Sequence, residues 1–395
     1  MIKNYFLYLD RLSFEIKVII FTSFLTSSLF LILNGGWEEH PDSYDYVQGI
    51  SAILKSEEWY DPTIPFRPGA VYFSLPFTLL FSHENSVGLQ NLFFYFAIGP
   101  ILFNLITYFT AEKKYSLYAT LLFLTSFPII YWGISTTGDM GSYFFLILSI
   151  SMMIKLVDKG YPISCLFLTA LITGVGILYK TTLAAAPIFF TLLVLFNSNK
   201  YGLLRSFKLW FLFAVISFLP LLLNQYYIYD NWELQYEDNI RETFEGRVSP
   251  DEEKLNEKIN NSDKGLKYTF TYKIITVFIA FPLIPLSFMG LRLANLELSN
   301  YKKYSLFFIF ISCFFIVSLL SIYVSSPRWT LILLIPVYVL LSYSIKTLEI
   351  FFIEKTSYNT NNLIWIFVAL HSLVSITVAS NDADIRELLG FWSKN

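Results

Sequence analysis

Long apolar runs recur along the chain and dominate its pattern of hydrophobic and polar positions. Runs of about 18 or more apolar residues are typical of transmembrane helices. The pattern predicts an all-α polytopic membrane protein with about eleven spans, at 17–34, 87–109, 116–132, 140–157, 162–178, 183–197, 208–228, 270–291, 304–324, 329–346 and 363–380. The first run, Val18 to Leu33, is too long for a simple signal peptide and lacks a small-residue cleavage site, so we interpret it as a retained anchor.

The distribution of lysine and arginine among the loops predicts their sidedness. With a cytoplasmic N-terminus, the short cytoplasmic loops hold most of these cations, among them Lys113, Lys114, Arg205, Lys302 and Lys346. The same orientation puts five unusual polar segments on the outer side: 35–86, 133–139, 179–182, 229–269 and 325–328. We therefore expect these five segments to meet on one face.

Two short helices are predicted within the first outer loop. From 42 to 56, apolar residues recur at helical spacing and leave an acidic face opposite, which predicts a helix in the membrane interface. The apolar positions are Tyr46, Val47, Ile50, Ile53 and Leu54. The piece from Ala70 to Phe81 is short and contains Pro76, so a half-buried juxtamembrane helix fits it better than a span.

The remaining segments complete a single membrane domain over residues 1–380. The outer loop 229–269 mixes both charge signs without apolar periodicity, which favours a solvated segment and a possible lid. Residues 381–395 are expected to form a short outer tail.

The composition and the motifs of the sequence give no support for several classes of function. The chain is 55% hydrophobic with a net charge of -2, which gives no reason to expect a nucleic-acid partner. Cys165 and Cys313 lie inside apolar runs, and we expect reduced packing residues with no disulfide. Walker, GxSxG and HExxH motifs are absent from the sequence. The histidines lack metal-ligand spacing; a metal site at His40, with Glu39 and Asp42, is possible but not indicated, and no cofactor is expected to be obligatory.

Carboxylates gather just after the first apolar run. Asp42 and Asp45 are three residues apart and share a helical face, with Asp42 directly after Pro41. One interpretation is structural: Asp42 caps an interfacial helix. The other is chemical, because carboxylates beside a bilayer hold protons more readily, which suits a general base. The neighbouring Glu38 and Glu39 favour the second interpretation.

Charged residues also mark the ends of other outer segments. Arg67 fits either a snorkelling interfacial side chain or a bidentate grip on a phosphate. Asp139 starts the fourth span, where helix capping is the alternative to a catalytic role. Lys180 and Arg328 could simply anchor helix ends, but cations on the face that holds an acidic loop would suit a phosphate-bearing lipid.

The order of these features resembles the C-type glycosyltransferases, integral membrane enzymes that use polyprenyl-phosphate-linked sugars. The nearest branch is that of the protein O-mannosyltransferases and the aminoarabinose transferases of lipid A. The matching features, spread over roughly residues 15–345, are Asp42, Tyr46 and Trp59 in DSYDYVQGISAILKSEEW, Arg67 and Pro68 in FRPGAVY, Asp139 in TTGDMG, Lys180 in LYKTT, and Arg328 with Pro336 in RWTLILLIP. The chain departs from the family at Ser43, where an Asp-Glu pair is usual, and at Arg67, where lysine is common.

The resemblance implies a mechanism and a setting. An aspartate, Asp42 or else Asp45 or Asp139, would act as the base in an inverting transfer to a glycan, lipid or protein, and Arg67, Lys180 and Arg328 would bind the donor phosphate. The site would face outward from a membrane, such as the inner membrane of a bacterium. Two rival hypotheses are a polymerase or ligase of lipid-linked glycans and a secondary transporter; the transporter predicts internal repeats, which the sequence does not clearly show.

Overall fold

A computed structural model of the protein describes residues 13–37, 41–55, 68–229, 283–323, 331–356 and 360–380. Within these ranges the regular elements are helices, and the α-helices are numbered here in chain order. They are α1 Phe14–Asn34, α2 Pro41–Lys55, α3 Gly69–Ser74, α4 His83–Thr110, α5 Lys113–Leu124, α6 Phe127–Ile134, α7 Asp139–Asp158, α8 Ile163–Ile177, α9 Ala185–Phe196, α10 Ser198–Tyr201, α11 Leu203–Tyr229, α12 Leu283–Phe288, α13 Leu291–Glu297, α14 Asn300–Tyr323, α15 Leu334–Thr356 and α16 Thr360–Ser380. Short 3₁₀ helices occupy Leu75–Leu79 and Thr181–Ala184.

The described helices define a polytopic membrane protein. Seven of them are long and apolar enough to cross a bilayer: α1, α4, α7, α11, α14, α15 and α16. The predicted spans 162–178 and 183–197 correspond to α8 and α9, which are apolar but shorter than this length. Of the predicted span 270–291, the part before Leu283 lies outside the described residues.

The span expected at 116–132 is broken into two helices. Helices α5 and α6 together pass the criteria for a span, but they meet at an angle of 58°. Pro128 lies in the first turn of α6, where it cannot donate a backbone hydrogen bond to the preceding turn. The predicted span 116–132 therefore corresponds to a bent pair of helices, and hydropathy alone does not indicate the bend.

The acidic helix of the first outer loop forms as predicted, but its apolar stripe packs against protein. Helix α2 begins at Pro41 and ends at Lys55. Ile50 is fully buried with Val71 of α3 and Val87 of α4, and Tyr46, Val47 and Ile53 pack around this cluster, while Leu54 stays 52% exposed. The stripe therefore holds α2 against the start of the helix bundle.

The other end of the bundle is held by ion pairs. Lys346 binds Glu112 at 2.6 Å and Glu297 at 2.5 Å, and Lys114 binds the buried Glu349 at 2.6 Å. Lys114 and Lys346 are among the cations predicted to lie in cytoplasmic loops, and the structure places them at one end. That end is remote from α2, because the 19 residues from Asn91 to Thr110 of α4 rise about 28 Å.

Candidate active site

The segment Ser135–Gly138 interrupts the helices between α6 and α7 and forms the centre of the candidate site. Its small polar residues do not continue the helix, so their carbonyl groups need partners. Asn91 of α4 supplies them: its side-chain amide donates to the carbonyl of Ser135 at 2.6 Å and to that of Thr137. Asn91 is fully buried.

Helix α2 is attached to this segment from the other side. The Ser43 hydroxyl donates to the Thr136 carbonyl at 2.9 Å and contacts the Thr136 hydroxyl. Ser43 lies between the two candidate acids, Asp42 and Asp45, in the first turns of α2. The contact therefore fixes the acidic helix beside the start of α7.

A buried ion pair joins α7 to the turn after α8. Asp139 is the first residue of α7, and its carboxylate accepts a hydrogen bond from the Lys180 ammonium group. Only 1% of the Asp139 side chain and 9% of the Lys180 side chain are exposed. Gly138, not Asp139, is the N-cap of α7, so the alternative of a capping role for Asp139 is not observed, and its carboxylate forms this ion pair instead.

A backbone contact brings Gly69 to the same place. The Gly69 N–H donates to the carbonyl of Leu178 at 2.9 Å, two residues before Lys180. A Cβ at Gly69 would lie 2.6 Å from the Tyr179 ring and 2.9 Å from the Leu178 backbone, and a Cβ at Gly141 would also collide with Tyr179. Glycine is therefore required for this close approach.

Two buried hydroxyl groups beside the ion pair have no hydrogen-bond partner among the described residues. They are those of Tyr179 and Thr182, which flank Lys180 in the chain. Burial, and secondarily the neighbouring Tyr46, raises the pKa of Tyr179, so its phenol stays protonated and can donate. Buried hydroxyls without partners are uncommon, and a bound polar group is one explanation for them.

The structure brings Asp139 and Lys180 into contact, and Ser43 attaches α2, the helix that contains Asp42 and Asp45, to Thr136, three residues before Asp139. Segments 35–86, 133–139 and 179–182, expected on one face, meet through the contacts of Ser43, Gly69 and Lys180. Asp45 is half-buried in α2, and Asp42 lies in its first turn, with its side chain outside the described part of the structure. Arg67 and Arg328 lie outside the described residues, as do Glu38, Glu39, His40 and the segments 230–282 and 381–395.

Several site residues were missed from the sequence. Asn91 lies inside an apolar run, and Gln90 and Asn91 together form a polar pair whose presence in a span is a signal of function or packing. Ser43 was recorded only as a departure from the family pattern, yet it is the residue that joins α2 to Thr136. Gly69 and Tyr179 had no local signal, because only their packing against each other gives them a role.

Metal ligands are not clustered in the part of the chain that the structure describes. Within it, no group of three or more histidine, cysteine or acidic side chains is arranged to hold a metal ion. Cys165 and Cys313 have free thiols.

Comparison with known proteins adds no family assignment. A scan of family models gives no match to this chain, and a search of curated proteins gives no significant match. The function is therefore inferred from the residues and their geometry.

Asn91→Ala should destabilise the protein, because it leaves two buried carbonyl groups without their donor. We expect a loss of about 2–6 kcal/mol, since each of the two unsatisfied buried groups costs about 1–3 kcal/mol. Denaturant titration of the purified protein in detergent would measure it. Asn104→Ala, at an exposed position of the same helix, is the matched control and should change stability by less than about 0.5 kcal/mol. Equal stability of the two variants would contradict the role of Asn91.

Proposed function

We propose that the protein is a membrane glycosyltransferase that moves a sugar from a polyprenyl phosphate to an acceptor. The observation that supports this most is the buried Asp139–Lys180 pair beside the acidic helix α2 and the hydroxyls of Tyr179 and Thr182. Sugar transfer from a lipid phosphate needs a base for the acceptor and a cation for the departing phosphate. In this cluster Lys180 is the candidate cation, and the carboxylates of α2 are the candidates for the base.

Lys180 is suited to bind the phosphate. An ammonium group has three donors, so it can donate to a carboxylate and to a phosphate oxygen at the same time. Asp139 holds the Lys180 side chain in place and offsets its charge in the buried site until the phosphate arrives. Phosphate is a good leaving group, so stabilising its charge is sufficient and no acid is required to protonate it.

Asp139 is then a positioning residue, and the base comes from α2. A carboxylate that is 1% exposed and ion-paired is poorly placed to take a proton from an acceptor that arrives from outside. Asp42 and Asp45 lie in the first turns of α2, on the helix that Ser43 fixes to the site. We assign the base to Asp42 and the orientation of the acceptor to Asp45.

Arg67 is proposed as the second phosphate ligand, from its place in the sequence two residues before Gly69. Arg67→Ala should weaken donor use by more than Arg67→Lys does, because lysine keeps the charge but loses the bidentate geometry. Loss of a charge-assisted hydrogen bond corresponds to about 1.5–3 kcal/mol, or about 10-fold to 150-fold in kcat/KM. The measurement is the rate of sugar transfer at limiting polyprenyl-phosphate donor. Unchanged kcat/KM for Arg67→Ala would leave Arg67 as an interfacial anchor.

A further inference from the structure

Helix α11 carries polar residues to the same level as the ion pair. Helices α8 and α11 pack closely at Gly174, where a Cβ would meet the Ser217 carbonyl and would lie 2.8 Å from the Pro220 ring. About one helical turn further, Leu178 is the C-cap of α8, and α11 reaches Asn224 and Gln225. Four residues rise about 6 Å in each helix, so these two residues lie level with the segment 178–180.

Tyr72 joins α11 to the candidate active site. Its hydroxyl donates to the Asn224 side-chain carbonyl at 2.8 Å. Tyr72 lies three residues after Gly69, whose N–H binds Leu178. The next residue, Phe73, packs on Tyr179 with a ring-centroid separation of 5.4 Å. Asn224 is thus linked to the site by one side chain of α3.

Gln225 is buried with unused hydrogen-bonding groups. Its exposure is 1%, and neither its amide oxygen nor its amide nitrogen has a partner among the described residues. The equally buried Gln90 differs: its nitrogen donates to Asn91 at 3.1 Å, and its oxygen accepts from Ser74 at 3.4 Å. A buried amide that lacks both kinds of partner destabilises the fold, so a functional reason is needed for it.

The surroundings of α11 indicate that a ligand here comes from the membrane. Outside its buried stripe the helix exposes large apolar side chains along its length, at Phe211, Phe218, Leu219 and Leu223. In a membrane-spanning helix such a face contacts lipid tails. A lipid chain lying along this face would bring its polar head toward the end of α11 that holds Gln225.

We propose that Tyr72, Asn224 and Gln225 bind the hydroxyl groups of the donor sugar, and that Gln225 determines which sugar is accepted. This inference rests on the proposed function. Neighbouring hydroxyls of a sugar ring offer a donor and an acceptor side by side, which matches the amide oxygen and nitrogen of Gln225. The sugar would then lie beside Lys180, which holds the phosphate to which it is attached.

The test compares lipids with and without a sugar. Wild type and Gln225→Leu are reconstituted in nanodiscs, and binding is measured for undecaprenyl phosphate and for the same lipid linked to mannose, glucose or 4-aminoarabinose. Wild type should bind at least one sugar-linked lipid about tenfold more tightly than the bare phosphate, as expected for one added hydrogen bond. In Gln225→Leu the ratio of the affinity for sugar-linked lipid to the affinity for undecaprenyl phosphate should fall to about one. The affinity for undecaprenyl phosphate itself should stay within about twofold of wild type.

Stability distinguishes a ligand-binding role from a structural one. Gln225→Leu should be at least as thermostable as wild type, because it removes unpaired buried groups. The matched variant Gln90→Leu should be less stable, since it removes the amide that donates to the buried Asn91 side-chain oxygen. The inference would be overturned if Gln225→Leu kept the wild-type preference for sugar-linked lipid, or if wild type bound every sugar-linked lipid no more tightly than undecaprenyl phosphate. It would also be overturned if Gln225→Leu were destabilised as much as Gln90→Leu. If wild type binds no undecaprenyl phosphate at all, the proposed function fails and this inference fails with it.

Discussion

Lys180→Met should be among the most destabilising single substitutions in this protein. It leaves the carboxylate of Asp139 buried and without its cation, and loss of one partner of a buried ion pair costs about 3–5 kcal/mol. Asp139→Asn should cost a similar amount, because the ammonium group of Lys180 then lacks its carboxylate. Denaturant titration of the purified variants would measure both losses.

The double variant Asp139→Asn, Lys180→Met separates stability from chemistry. Replacing both members of a buried ion pair by neutral residues of similar size is often close to neutral, so the double variant should recover most of the lost stability. It should still transfer sugar much more slowly than wild type, since Lys180 then no longer stabilises the charge of the departing phosphate. Lys159→Met, at an exposed lysine of the other end, should change stability by less than about 0.5 kcal/mol. Single variants as stable as wild type would contradict the buried pair.

Asp42→Asn should reduce sugar transfer by about 100-fold or more, which is the contribution of a general base. Asparagine is nearly the same size as aspartate and is tolerated at a helix start, so the protein should fold and bind donor lipid normally. Asp45→Asn should have a milder effect, because that residue orients the acceptor or adjusts the proton affinity of its neighbour. The rate of transfer from purified donor, with thermal stability as the folding control, measures the difference.

The matched control for the acidic helix is Asp158→Asn. Asp158 is exposed at the far end of α7, so its loss should leave transfer unchanged. If Asp42→Asn is active while folded Asp45→Asn or Asp139→Asn is inactive, the base has been assigned to the wrong residue.

The local pattern of the sequence was sufficient to predict the helix and the outer segments that form the site. The spacing of Tyr46, Val47 and Ile50 gave α2 nearly to the residue, because an amphipathic helix is encoded by its own sequence. The bias of lysine and arginine placed segments 35–86, 133–139 and 179–182 on one face, and the structure brings them into contact.

The contacts within the site could not be predicted from the local pattern of the sequence. Ser43 and Thr136 are 93 residues apart, and Asn91 and Thr137 are 46 apart, so neither pairing leaves a periodic signal in the chain. Hydropathy also could not show how the short helix α8 is accommodated among its neighbours, or that the apolar run 116–132 bends by 58° between α5 and α6. Both depend on how backbone polar groups and prolines are accommodated by neighbouring helices.

Transfer of a labelled sugar from a lipid-linked donor is the most direct test of the proposed function. The purified protein, reconstituted in nanodiscs, would be incubated with undecaprenyl phosphate linked to radiolabelled mannose, glucose or 4-aminoarabinose, and with lipids and glycans from the source membrane as acceptors. The proposal predicts that label moves from one donor to an acceptor while undecaprenyl phosphate is released, and that Asp42→Asn stops both. If every donor stays intact with wild type, the assignment of this site as a glycosyltransferase centre is contradicted. If donor turnover is equal in wild type and Asp42→Asn, the assignment of Asp42 as the base is contradicted.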